Sequence, residues 1–183
     1  KFMLNTPNAL KTKKNQRIIV PFLSNLFLIK KVVKNNGKIL FTGFSSKYKE
    51  LNSEIKGIAK NTDHFFVNEK GLGSLITNFS EVKKSISNTF NVNYTFSKKK
   101  KFIKNVKVYD GIKNIAKRPN LIIVFDVKLH KSLILSATNI GIPVIIFDPK
   151  VVLKNTLTYI VPLRLRNKKV LSKICFLIEK FIK

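Results

Sequence analysis

Two aspartates close apolar runs in this 183-residue chain: Asp126 ends Leu121-Ile-Ile-Val-Phe-Asp and Asp148 ends Val144-Ile-Ile-Phe-Asp. If the runs are neighbouring strands, the two carboxylates could hold a magnesium ion with a phosphate, the chemistry of a phosphoryl-transfer or nucleotide enzyme. Each aspartate equally suits the cap of the element that follows it, and that reading is favoured. Gly71-Leu72-Gly73 supplies two glycines of a dinucleotide loop, but Ile76 stands where the third is required, so a tight turn is the better reading. The only two histidines, His64 and His130, leave little for metal chemistry. Cys175 falls on or beside the apolar face of a terminal helix, as a small core residue does. One cysteine excludes an intramolecular disulfide framework and a multi-cysteine zinc site. No metal, cofactor or small-molecule substrate is expected.

The informative residues are the cations. Lys+Arg number 36 against 9 acids, a formal net charge of +27. Such a chain repels itself unless a polyanion neutralises it, and nucleic acid is the first candidate, an anionic membrane surface the second. Arg17, Arg118, Arg164 and Arg166 are the only arginines, so the expected mode is lysine charge on phosphate backbone more than bidentate reading of bases. The residues expected to carry it are Lys70, Lys83, Lys84, Lys98, Lys99, Lys100, Lys101, Lys104, Arg118, Arg164, Arg166, Lys168 and Lys169. Tyr94, Phe96, Phe102 and Tyr109 interleave with the lysines of 91–118, so either base stacking or packing onto the domain is open to them.

These residues need a scaffold, and with 44% hydrophobic residues the chain can build one. Residues 18–29 are the most apolar stretch, too short for the ~20 residues that cross a bilayer. With Pro21 in its first turn, the stretch predicts a helix ending near Gly37 and burying Phe22, Leu26, Ile29 and Val33. No stretch reads as a cleavable signal or transit peptide. Short apolar strands are predicted at 38–44, 64–68, 121–126, 144–148 and 158–162. Helices are predicted at 46–61 (Tyr48, Leu51, Ile55, Ile58 inward), from the Asn78/Glu81 capping pair (Phe79, Val82, Ile86, Phe90 inward), at 129–140 (Leu133, Ala137, Ile140 inward) and from Asn167 (Val170, Ile174, Leu177, Phe181 inward). Strands apolar on both faces that alternate with helices mean an α/β fold: an open parallel sheet of about five strands covered on both sides. Residues 1–15 read as a basic N-terminal extension, 16–183 as one domain, and 91–118 as a short basic insertion. The loop 69–77 is expected to give shape-specific contact to RNA.

Residues 38–43 and 65–79 then carry a resemblance. Asn68, Leu72, Gly73, Thr77, Asn78 and Phe79 match the pattern Y-V-N-x-R-W-L-G-G-T-L-T-N-F of the small-subunit ribosomal protein two family. Gly111-Ile112-Lys113-Asn114 resembles that family's G-G-I-K-D, Pro119 to Asp126 its L-P-D-L-L-F-V-I-D, Ala137 to Val144 its E-A-x-x-L-G-I-P-V, and Tyr159-Ile160-Val161-Pro162 its Y-x-I-P. Order and spacing agree over about 16–183. Lys70-Gly71 replaces an Arg-Trp pair, Leu163-Arg164-Leu165-Arg166 replaces an acidic G-N-D-D, Asp148-Pro149-Lys150 stands for D-T-N, a His-rich start is lacking, and the projecting helical hairpin is much shortened.

The resemblance implies a flavodoxin-like sheet and a structural, non-catalytic role at the head and body junction of the small ribosomal subunit. It also implies small-subunit ribosomal RNA and other ribosomal proteins as partners. Heavy use of Lys, Asn, Ile and Phe, with no Trp, matches A/T-rich codons. The expected location is therefore a mitochondrial ribosome, or that of a plastid-type organelle. The alternatives are a magnesium-dependent enzyme using Asp126 and Asp148, or a basic membrane-surface protein.

Overall fold

A computed structural model describes residues 13–43, 49–67, 74–91, 106, 108–147, 157–162 and 168–183. The elements are α1 (Lys13–Lys34), β1 (Ile39–Thr42), α2 (Lys49–Asn61), β2 (Phe65–Val67), α3 (Ser74–Thr77) and α4 (Phe79–Asn91). A 3₁₀ turn (Asp110–Ile112) leads to β3 (Leu121–Val124), α5 (Val127–Ile140), β4 (Val144–Phe147), β5 (Thr158–Val161) and α6 (Lys168–Ile182). All strand pairs are parallel, and the sheet order is β2-β1-β3-β4-β5. That is the flavodoxin-like doubly wound order, with its switch point between β1 and β3.

The predicted α/β sandwich is thus observed, and its cause is visible in single strands. Side chains alternate across a strand. Leu121 and Ile123 enter one core with Ile39, Phe41, Ile145 and Phe147. Ile122 and Val124 enter the other with Leu40, Val144 and Ile146. Helices α1, α2 and α6 cover the first face, and α3, α4 and α5 the second. At the entrance to the sheet, Lys38 N donates to Asn120 Oδ1 (2.9 Å) and Asn120 N donates to Lys38 O (2.7 Å), which locks β1 beside β3.

Three helices end in the same way before a strand. Gly37 N donates to Val32 O, His64 N to Ala59 O and Ile142 N to Ala137 O, each spanning a left-handed residue: Asn36 (φ 56°), Asp63 (φ 53°) and Gly141 (φ 87°). This satisfies helix-terminal carbonyls that would otherwise lie without partners.

Three sets of sequence expectations need correction. Pro21 lies inside α1 and not in its first turn, because the helix starts at Lys13. Lys, Gln and Arg propagate helix well, and Leu26 and Ile29, both buried, offset the hydrogen bond the proline removes. Phe90, Ile140 and Val170 are surface residues, 41%, 43% and 39% exposed, where burial was expected. On α6 the buried stripe is Leu171, Ile174, Cys175, Ile178 and Ile182. The end of the 91–118 insertion returns to the core, with Ile112 and Ile115 buried, whereas Tyr94, Phe96 and Phe102 lie outside the described residues. Among the described residues, no helix is long and apolar enough to cross a membrane.

Candidate nucleic-acid interface

The carboxyl ends of the strands are where a doubly wound sheet would hold a ligand. At the switch point that space is used structurally. His130 is 1% exposed, with backbone angles (φ −115°, ψ 22°) that kink α5 after its first turn. Burial lowers its pKa, so the ring is neutral and Nε2–H donates to the Gly43 carbonyl at 3.2 Å. Thr42 Oγ1 accepts from Phe125 N at 3.3 Å, and Gly43 N donates to Val67 O at 2.7 Å. Asp126 accepts from Leu129 N at 3.1 Å and so caps α5, as the sequence favoured. Asp148 lies outside the described residues. Cys175 is buried in the first core, and burial pushes its thiol up to about 12, which suits packing and opposes thiolate chemistry. Among the described residues no three His, Cys, Asp or Glu side chains gather as metal ligands.

The cationic surface is built on the second face. Leu75 and Ile76 plug α3 into the core, fully buried, while Thr77 and Asn78 stay exposed. Asn78 N donates to Ser74 O (2.8 Å) and Val82 N to Asn78 O (3.1 Å), so the backbone turns helically from α3 into α4. Arg118, just before β3, fixes this shoulder. Its Nε donates to Ile76 O at 2.8 Å, and its guanidinium lies 5.6 Å over the Phe79 ring. Lys83 Nζ reaches the Ala116 carbonyl at 3.5 Å, and Lys84 pairs with Glu81 at 3.2 Å. Lys117, between Ala116 and Arg118, is exposed there. The shoulder therefore presents Thr77, Asn78, Lys83, Lys84, Lys117 and Arg118 on an ordered frame.

A family profile described as Ribosomal protein S2 matches residues 16–182, which take in every strand and most of α1. The chain belongs to the ribosomal protein S2 family.

Among curated S2 proteins, one from Baumannia cicadellinicola named small ribosomal subunit protein uS2 is 33% identical over 139 residues, covering 68% of this chain and 59% of its own length. Proteins of the same name from Malacoplasma penetrans and Fusobacterium nucleatum are 31% and 30% identical; each match covers 73% of this chain, and 43% and 59% of the relative respectively. The chain thus spans about half the length of these S2 relatives.

Of the S2 loop motif, Thr77 and Asn78 are placed on the shoulder, while Asn68, Lys70, Leu72 and Gly73 lie outside the described residues, as do Lys98, Lys99, Lys100, Lys101, Lys104, Arg164 and Arg166. Lys168 opens α6, and Lys169 is exposed on it, on the opposite sheet face from Lys83, Lys84 and Arg118. The structure brings Lys83, Lys84 and Arg118 together and sets Lys169 apart. Lys117 was missed as a single choice, although it belongs to the same basic run as Arg118. Its value comes from the return of 108–118 to the core, which no local pattern announces.

Proposed function

We propose that this chain is a structural, non-catalytic constituent of a small ribosomal subunit, bound to its ribosomal RNA and to neighbouring ribosomal proteins. The observation that carries the reading is the S2 match across residues 16–182. The net charge of +27 supports it, since neutralised phosphates release condensed counterions and dominate affinity. The α3–α4 shoulder supplies backbone shape and cations together: Thr77 and Asn78 beside Lys83, Lys84, Lys117 and Arg118. Lys70, Lys98 to Lys101, Lys104, Arg164, Arg166, Lys168 and Lys169 complete the RNA-contacting set. The Lys-, Asn-, Ile- and Phe-rich composition favours an organellar ribosome, mitochondrial first and plastid-type second.

Sedimentation of a native extract tests this reading. The chain co-migrates with small subunits and leaves that fraction after ribonuclease; a profile unchanged by ribonuclease and free of subunits refutes it. On purified RNA, replacing Lys83 or Lys117 by Gln lowers the slope of log affinity against log salt by about one each. Replacing Lys98 to Lys101 together lowers it further, and an unchanged slope removes that segment from the interface.

A further inference from the structure

Residues 110–118 carry cations round the edge of the sheet. Ile112 and Ile115 are buried, while Lys113, Asn114, Lys117 and Arg118 face solvent. The 3₁₀ turn that opens this segment is seated on edge strand β2 at Gly111, and its Asp110 is paired with Lys56 of α2. Helix α2 covers the first face of the sheet, whereas α4, which carries Lys83, covers the second. Lys113 and Lys117 are four residues apart, at most about 14 Å of chain. The cations of the shoulder therefore continue past β2 and onto α2.

Three cations meet one carboxylate there. Lys56 and Lys60 are four residues apart on α2, hence neighbours on one helix face, and both are exposed. The hydrogen bond from Lys56, with the charges of Lys56, Lys113 and Lys60, holds the Asp110 carboxyl below its usual range. Burial, and after it the charge of Glu54, raises the Cys175 thiol, so Glu54 faces α6. It lies two residues, and about 200° of helix, from Lys56. Gly57 sits between the two lysines in mid-helix. A Cβ there would meet nothing within 4 Å, so packing does not call for glycine, although glycine weakens a helix interior relative to alanine. What it leaves is bare backbone between two ammonium groups, open to the close approach of another backbone. Neither α2 nor residues 110–118 contain an aromatic ring on which a base could stack.

We propose that Lys56, Lys60 and Lys113, set around Gly57, form a second phosphate-gripping site, which holds the sugar–phosphate backbone of an RNA duplex at the β2 edge. Charge without rings suits paired RNA, whose bases are turned inward and whose phosphates are displayed. The inference rests on the reading of the chain as an RNA-bound ribosomal protein. It adds a site on the opposite sheet face from the shoulder, and the kind of RNA held there.

The test measures log affinity against log salt for the full chain and purified small-subunit ribosomal RNA. Lys60→Gln combined with Lys113→Gln leaves the Lys56–Asp110 pair intact and lowers the slope by about two. Lys30→Gln combined with Lys31→Gln makes the same charge change on α1, beside the opposite edge strand β5, and leaves the slope unchanged. Gly57→Gln covers the bare backbone. It weakens binding roughly fivefold or more, the low end of an overpacking penalty, at wild-type slope and undiminished thermal stability. An RNA hairpin of about 16 base pairs competes better than polyuridylate of the same total charge, and that advantage shrinks in the Lys60→Gln/Lys113→Gln variant. Wild-type affinity in Gly57→Gln, or equal competition by the two RNAs, overturns the inference. So do equal slopes for the two lysine pairs, which would leave the patch to an acidic protein. If Lys83→Gln with Lys117→Gln still lowers the slope in that case, the reading of function stands without this site. A wild-type chain with no salt-dependent affinity for the RNA ends both.

Discussion

Gly111 backs directly onto Phe66: a Cβ at position 111 would lie 2.2 Å from the Phe66 carbonyl oxygen and 2.9 Å from its carbonyl carbon. This contact seats the 3₁₀ turn on edge strand β2 and thereby closes the end of the insertion onto the domain. The Lys56–Asp110 ion pair, which holds the Asp110 carboxyl below its usual range, ties the same turn to α2.

Gly111→Ala therefore forces backbone against backbone, with no flexible side chain to yield. The expected loss is about 1–3 kcal/mol, the usual cost of overpacking. Urea unfolding of the purified chain checks it: the midpoint falls while the slope is kept. A midpoint equal to wild type would show that the turn can lift from β2 at no cost.

Arg118 has a structural duty besides its charge. Arg118→Lys preserves the cation but loses the planar stack on Phe79 and the fixed Nε–H donated to Ile76 O. It should lower stability by about 1 kcal/mol, the worth of one such contact. The salt dependence of RNA binding should stay close to wild type. A thermal melt paired with a salt titration separates the two roles, and a large change in slope with unchanged stability would contradict the clamp.

Asp126 caps α5 through Leu129 N. Asp126→Ala should cost about 1 kcal/mol, and Asp126→Asn much less, because asparagine caps nearly as well. Adding magnesium should stabilise none of the three proteins preferentially. A wild-type melting temperature that rises with magnesium, while that of the Asn variant does not, would revive the phosphoryl-transfer alternative.

His64 stands between α2 and β2, its ring 6.4 Å from that of Phe41 and both nitrogens without a hydrogen-bond partner. Burial foremost, then the nearby Lys38 charge, lowers its pKa to about 4. The unfolded chain, with an ordinary value near 6.5, binds the proton more readily than the native one. Stability is thus full above that value and is lost as pH falls from there toward 4. His64→Phe keeps the ring and removes the proton, so its unfolding midpoint should vary less over that interval than the wild-type midpoint. Parallel curves for the two proteins would assign the acid sensitivity to other groups, such as His130, whose pKa burial also lowers.

Much of this was legible in residue order. The runs of β1 to β4 became strands buried on both faces, which have to be apolar throughout, whereas edge strand β5 leaves Tyr159 exposed, and Gly141 marked its helix end because a left-handed residue is needed there. The ends before β1 and β2 were placed as well, near Gly37 and at residue 61, but the left-handed residues that shape them, Asn36 and Asp63, were not singled out. On α6 two stripes are apolar, Val170/Ile174/Leu177/Phe181 and Leu171/Ile174/Cys175/Ile178/Ile182. Periodicity cannot choose between them, because a shift of one residue turns the helix by about 100° and leaves either stripe plausible.

The sequence by itself determined the α/β class, the number of strands, the excess of positive charge and the family pattern, because these depend on local periodicity and composition. Only the tertiary structure decided that His130 fills the switch point and that Arg118 clamps Phe79. It alone left Val20 and Phe27 at the surface of α1. Each of these depends on a partner tens of residues away or on which side of a helix meets the sheet, and chain folding brings such groups together without any local mark.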